Sequence, residues 1–159
     1  MTLATEENRT AHLFERIEQM EELASAPNLD QDQRAKLRNI VQRTLAESDP
    51  VRVSVAAKLL GLSERSVRSW TKEGVLKQAA TDSPRVLLDP ERLHEVVTLL
   101  RDLRRRGRDR NLMEHVWYRL SDQALLERAD LQESLEQMRR GEGHVVRSST
   151  DPEARKRRP

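Results

Sequence analysis

The chain has 159 residues, with 29 Lys or Arg against 27 Asp or Glu, a formal net charge of +2, 35% charged residues and only 3% aromatic ones. Having no cysteine, it forms neither disulfides nor thiolate metal sites. No apolar run approaches the roughly 20 residues that cross a bilayer, and the first ten residues, MTLATEENRT, lack the basic and apolar regions of a signal peptide. These features predict a highly solvated, mainly helical, cytoplasmic protein of one domain with extensions, or two small domains.

Residues 1–50 carry 6 basic and 10 acidic groups and read as a helical hairpin. Leu13, Ile17, Met20 and Ala24 fall on one helical stripe, which Phe14 and Leu23 widen. The stretch Ser25 to Leu29, with Pro27 inside it, forms the connection. Asp30 and Gln33 stand at capping-box spacing before a second stripe of Leu37, Ile40, Val41 and Leu45. Glu47 to Pro50 reads as a linker. Two roles fit this hairpin equally: a dimer interface, or packing against the rest of the chain.

Residues 51–110 hold 14 basic and 8 acidic groups, so the positive charge concentrates here. Within VSVAAKLLGLSERSVRSWTKEGVL, Val53 to Leu76, Ser54 reads as an N-cap and Val55, Ala56, Leu59 and Leu60 as one apolar face. Gly61 sits where the helix must end in a left-handed residue. Ser63 caps a second helix, about Glu64 to Lys72, which buries Val67 and part of Trp70. Arg65, Ser66, Arg68, Ser69 and Lys72 are left around its other faces. Arginine donates in pairs to guanine O6 and N7 or clamps a phosphate, and serine near a helix start reaches phosphate oxygens. Gly74 ends the helix.

These residues resemble the winged helix-turn-helix of the MerR and excisionase families, which run from AAxLLG through Ser and TVR to an aromatic and then GxL. Here the corresponding residues are Ala56 to Gly61, Ser63, Ser66 to Arg68, Trp70, and Gly74 to Leu76, and the resemblance spans about Val51 to Leu103. It implies a wing. Val75 to Ala80 and Arg85 to Leu88 are two extended runs, with the turn formers Thr81, Asp82, Ser83 and Pro84 between them. In those families the wing reaches the DNA backbone or minor groove, which makes Arg85, and next Lys77, its candidate contacts. The tip is Ser-Pro rather than Gly-rich, and Leu87 stands where an aromatic is common.

Asp89 caps a further helix with Pro90 at its first position. Glu91 to Arg106 continues it, with Leu93, Val96, Val97, Leu100 and Leu103 on one side. The run RRRGRDR, Arg104 to Arg110, either grips phosphate or forms a solvated loop. Residues 111–147 read as a series of short amphipathic helices: one capped by Asn111 with Met113, Val116, Trp117 and Leu120, one opened by Ser121 or Asp122, and one opened by Asp130 and closed by Gly141. Trp117, Tyr118, Leu131, Leu135 and Met138 are candidate anchors for a partner's groove, or else pack on the central helix as ordinary core, the second role fitting Trp117 better. The string ESLEQMRRGEGHVV, Glu133 to Val146, is similar to the C-terminal ends of some bacterial type II antitoxins. Residues 148–159 read as a disordered basic tail.

His12, His94, His115 and His144 are scattered, with no metal-ligand spacing among them. No nucleophile elbow or phosphate-cradling loop is present. The sequence therefore predicts no enzyme, no metal and no cofactor. It predicts a mainly α protein: a winged helix-turn-helix core with a small β-hairpin wing, flanked by an N-terminal helical hairpin and C-terminal short helices. The expected function is that of a bacterial, nucleoid-associated regulator, a homodimer that binds double-stranded DNA through Ser63, Arg65, Ser66, Arg68, Ser69, Lys72, Lys77 and Arg85. In its more specific form it is an autoregulating antitoxin that also masks a toxin protein. An excisionase-like architectural factor, a regulator without a toxin, and an adaptor that has lost DNA binding are the alternatives.

Overall fold

A computed structural model describes residues 2–141. Among these, six helices and two short strands follow in the order α1 (Leu3–Ala24), α2 (Gln31–Ala46), β1 (Val51–Arg52), α3 (Val53–Leu60), α4 (Glu64–Lys72), β2 (Leu87–Leu88), α5 (Pro90–Arg105) and α6 (Leu112–Arg140). No helix among the described residues is long and apolar enough to cross a membrane. The chain divides into two units at Arg119 and Leu120. The end of the antitoxin-like string, from Glu142, and the basic tail lie outside the described residues.

The N-terminal hairpin forms as its sequence predicts. The Asp30 carboxylate accepts from the Gln33 amide while the Gln33 side chain accepts from the Asp30 amide, so two free donors at the start of α2 are satisfied reciprocally. Helix α1 buries Phe14, Ile17 and Ala24, and α2 buries Val41 and Leu45. Leu23 and Ile40, expected on the apolar stripes, are exposed, because each lies on the flank of its helix away from the line where the two meet. The hairpin packs on the rest of its own chain, α1 against α3 and α2 against α5. His94 of α5 is buried, edge-on to the Phe14 ring at 5.1 Å. Its Nε2 lies 3.2 Å from a Glu21 carboxylate oxygen of α1.

Helices α3 and α4 join across Gly61, Leu62 and Ser63. Gly61 takes the left-handed conformation, φ 65°, which a side chain at that position would strain. Ser63 caps α4, its hydroxyl accepting from the Ser66 amide at 3.1 Å. The start of α3 differs from expectation. The helix begins one residue before Ser54, with Arg52 at the cap position and no side-chain cap bond. Pairing of Val51 and Arg52 in the sheet fixes the entry to α3, so no hydroxyl cap is used there. Asp89 caps α5 through the Arg92 amide at 3.0 Å, with Pro90 opening the helix.

The extended runs expected to form a hairpin wing do not pair as two equal strands. Leu88 and Leu87 align antiparallel with Val51 and Arg52. The Val75–Ala80 run keeps only an isolated bridge from Gln78 to Leu88, with bonds from the Ala79 amide to the Leu87 carbonyl and from the Asp89 amide to the Lys77 carbonyl. Residues 87–88 thus lie between two partners, paired with Val51 and Arg52 along one edge and bonded to the 77–79 backbone along the other. Val55, Leu60, Val67, Val75, Leu76, Leu88, Leu93, Val96, Leu100 and Leu103 are almost wholly buried and form the core that holds α3, α4 and α5. Truncating a leucine such as Leu60 to alanine there costs about 2–5 kcal/mol.

The C-terminal series of short helices is corrected to one helix, α6, of 29 residues. Nothing between Leu112 and Arg140 stops it, since the stretch has neither glycine nor proline and is rich in good helix formers. The Ser, Asp and Glu spacings that suggested internal caps are ordinary i, i+3 neighbours on a continuous helix. Asn111, expected as the cap, has a left-handed backbone, φ 54°. Its carbonyl accepts from the His115 amide at 3.2 Å, as the first turn requires.

Candidate nucleic-acid interface

Helix α4 buries Val67 and Trp70, and these two fix which way the other side chains face. Arg65, Arg68, Ser69 and Lys72 stand at i, i+3, i+4 and i+7, a spacing that places them on one stripe, and all four are exposed. Among the described residues, no carboxylate lies within 4 Å of the charged groups of Arg65, Arg68, Lys72, Lys77 or Arg85.

Ser63 and Ser66 are less free. Ser63 Oγ accepts from the Ser66 amide and donates to Ser66 Oγ at 2.9 Å. Ser63 thus serves the start of α4, and Ser66 keeps its own hydroxyl hydrogen for another acceptor. Among the described residues, Ser69 carries no such local bond.

Arg68 of α4 and Arg85 line one cleft of about 400 Å³ with Arg52, Ser54, Glu64 and Pro84. The fold therefore brings Arg68 and Arg85 together although 17 positions separate them in the sequence. Glu64 also lines the cleft and disfavours a phosphate near its carboxylate, so an anion is better placed toward Arg68 and Arg85. Lys77 is exposed outside this cleft. Arg52, which also lines this cleft, has its Nε 3.1 Å from Glu6 of α1.

The basic run after α5 divides. Arg104 donates to the Leu60 carbonyl at 2.7 Å and to the Gly61 carbonyl at 3.4 Å. It thereby satisfies the free carbonyls at the end of α3 and braces the connection into α4. Sequence reasoning missed this role. The only signal for it is a basic residue in the last turn of α5, which does not reveal that a different helix end lies within reach. Arg106 lies 3.5 Å from Asp102, and Arg119 shares that carboxylate at 3.2 Å. Arg105, Arg108 and Arg110 are exposed.

The expected partner anchors also divide. A side chain built at Gly74 would meet the Trp117 ring at 3.7 Å, so Trp117 lies over the turn that follows α4 while 46% of it stays exposed. Tyr118, Leu131, Leu135 and Met138 are exposed on α6. Among the described residues, no group of three or more His, Asp or Glu side chains is placed to hold a metal ion. No protein-family model, no curated protein and no solved structure matches this chain.

Proposed function

We propose that the protein is a sequence-specific double-stranded DNA-binding regulator. Helix α4 enters the major groove as the second helix of a winged helix-turn-helix, and the 84–87 segment contacts the adjacent backbone as its wing. The observation that carries this reading is the exposed stripe of Arg65, Arg68, Ser69 and Lys72, free of carboxylate partners and backed by buried Val67 and Trp70. A helix held from behind and cationic in front suits base edges and phosphates at once. Arg65 and Arg68 read bases, Ser66 and Ser69 make near-base contacts, and Lys72, Arg85 and Lys77 hold phosphates. Selection of bound duplexes from a random library tests this. An enriched motif is expected, and Arg68→Ala should weaken binding to it at least a few-fold at fixed salt. Absence of any enriched duplex would contradict the reading.

A second reading adds to the first and rests on the exposed apolar side chains of α6. The regulator is then also an antitoxin whose region 111–146 covers a toxin. Co-purification with the product of an adjacent reading frame supports it, and a chain that never retains such a partner excludes it.

A further inference from the structure

Every residue of α6 from Asp122 onward is exposed, yet this part of the helix is not uniformly polar. Trp117, Ala124, Leu131 and Met138 recur every seven residues, and Leu120 and Leu135 fall beside them on the same side. That repeat makes a narrow stripe with one apolar residue per heptad, the next seam positions after Leu120 being Glu127 and Ser134. Leu131 is 62% exposed, Leu135 48% and Met138 71%, so the outer half of the seam has nothing covering it within the described chain.

The seam reads alike from both ends. About a point between Glu127 and Arg128, Ala124 mirrors Leu131, Leu120 mirrors Leu135, and Trp117 mirrors Met138. The two residues at the centre are opposite in charge. Two copies of α6 laid antiparallel in this register place apolar groups opposite apolar groups. They also set Glu127 of each copy against Arg128 of the other, twice. A parallel arrangement would instead put Glu127 against Glu127 and Arg128 against Arg128.

Leu120 is buried, so the incoming Leu135 rests mainly on its neighbours along the seam.

We infer that α6 pairs with α6 of a second copy of this chain, antiparallel and centred between Glu127 and Arg128. Such a contact uses the same patch on both copies and closes on itself. It stands independently of DNA binding, and it assigns the seam to a second copy rather than to a toxin.

The test uses the full-length chain without DNA. Sedimentation should give twice the chain mass at micromolar concentration, falling toward the single mass on dilution. Leu131→Glu should weaken association at least tenfold with an unchanged far-UV circular dichroism spectrum, since Leu131 supports nothing within its own chain. The sequence has no cysteine, so the register is tested separately. Mixed and oxidised, the Ala124→Cys and Leu131→Cys chains should join to one another, because a disulfide needs Cα atoms within about 7 Å. Neither variant alone should join to itself. A single-chain mass at every concentration would overturn the proposal and leave the seam to a different protein. An unweakened dimer of Leu131→Glu, or self-linking of either cysteine variant as fast as the mixture, would overturn it too.

Discussion

Two arginine-bearing regions look interchangeable in the sequence and are not. The end of α5 and the turn after it, Arg101 to Arg110, carry the denser charge. Yet Arg101 pairs with Glu18 of α1, Arg104 is spent on the carbonyls of Leu60 and Gly61, and Arg106 lies beside Asp102. The α4 stripe has fewer cations, but Arg65, Arg68 and Lys72 face solvent without carboxylates. A guanidinium already bonded must give up that bond before it meets a phosphate. Arg105, Arg108 and Arg110 stay exposed as well, so availability alone does not separate the two regions; what does is that Arg104 of the denser region braces the helix pair that presents Arg65, Arg68 and Lys72.

The sharpest way to break this comparison is to remove both α4 arginines. Each arginine–guanine pair is worth about 1–3 kcal/mol, so Arg65→Ala with Arg68→Ala should cost the selected duplex at least about thirtyfold in affinity, with an unchanged thermal midpoint. Next come the bracing residues. Gly61→Ala should lose about 1–2 kcal/mol of stability, because φ 65° is strained for alanine and the added methyl would lie 3.1 Å from the Arg104 guanidinium. Arg104→Ala should lose about 1 kcal/mol, since hydrogen bonds to charged donors are worth about 1.5–3 kcal/mol and this side chain is partly solvated. Both changes should appear in denaturant midpoints before they appear in DNA affinity. The smallest effect belongs to Arg52→Ala. Its exposed pair with Glu6 contributes about 0.2–1 kcal/mol, and duplex affinity should move less than for Arg85→Ala. A larger loss with Arg52→Ala than with Arg85→Ala would mean that Arg52 leaves Glu6 for phosphate.

Much of this architecture was legible because local rules decide it. Asp30 with Gln33, Gly61, Ser63, and Asp89 with Pro90 mark real helix ends, and Val67 with Trp70 mark the buried side of α4. That side in turn dictates the exposed arginine stripe. What could not be read depends on distant partners. Residues 87–88 take Val51 and Arg52 as their strand neighbours, which no local pattern shows. Arg104 and Arg52 find their partners across 43 or more positions. The C-terminal helix was misdivided for a different reason. Capping-box spacing coincides with ordinary neighbour spacing on a helix, and only a breaker such as glycine or proline separates the two cases.

The most direct measurement is the salt dependence of duplex binding by the intact chain and by Arg68→Ala, followed by fluorescence anisotropy on the selected site. Affinity should fall steeply with salt, by about 0.9 log units per log unit of salt for each phosphate neutralised. Arg68→Ala should weaken binding across the whole series, whereas Arg101→Ala, whose side chain is held by Glu18, should overlay the intact chain. Binding indifferent to salt, or an Arg101→Ala curve displaced further than the Arg68→Ala curve, would contradict the assignment of α4 as the DNA-facing helix.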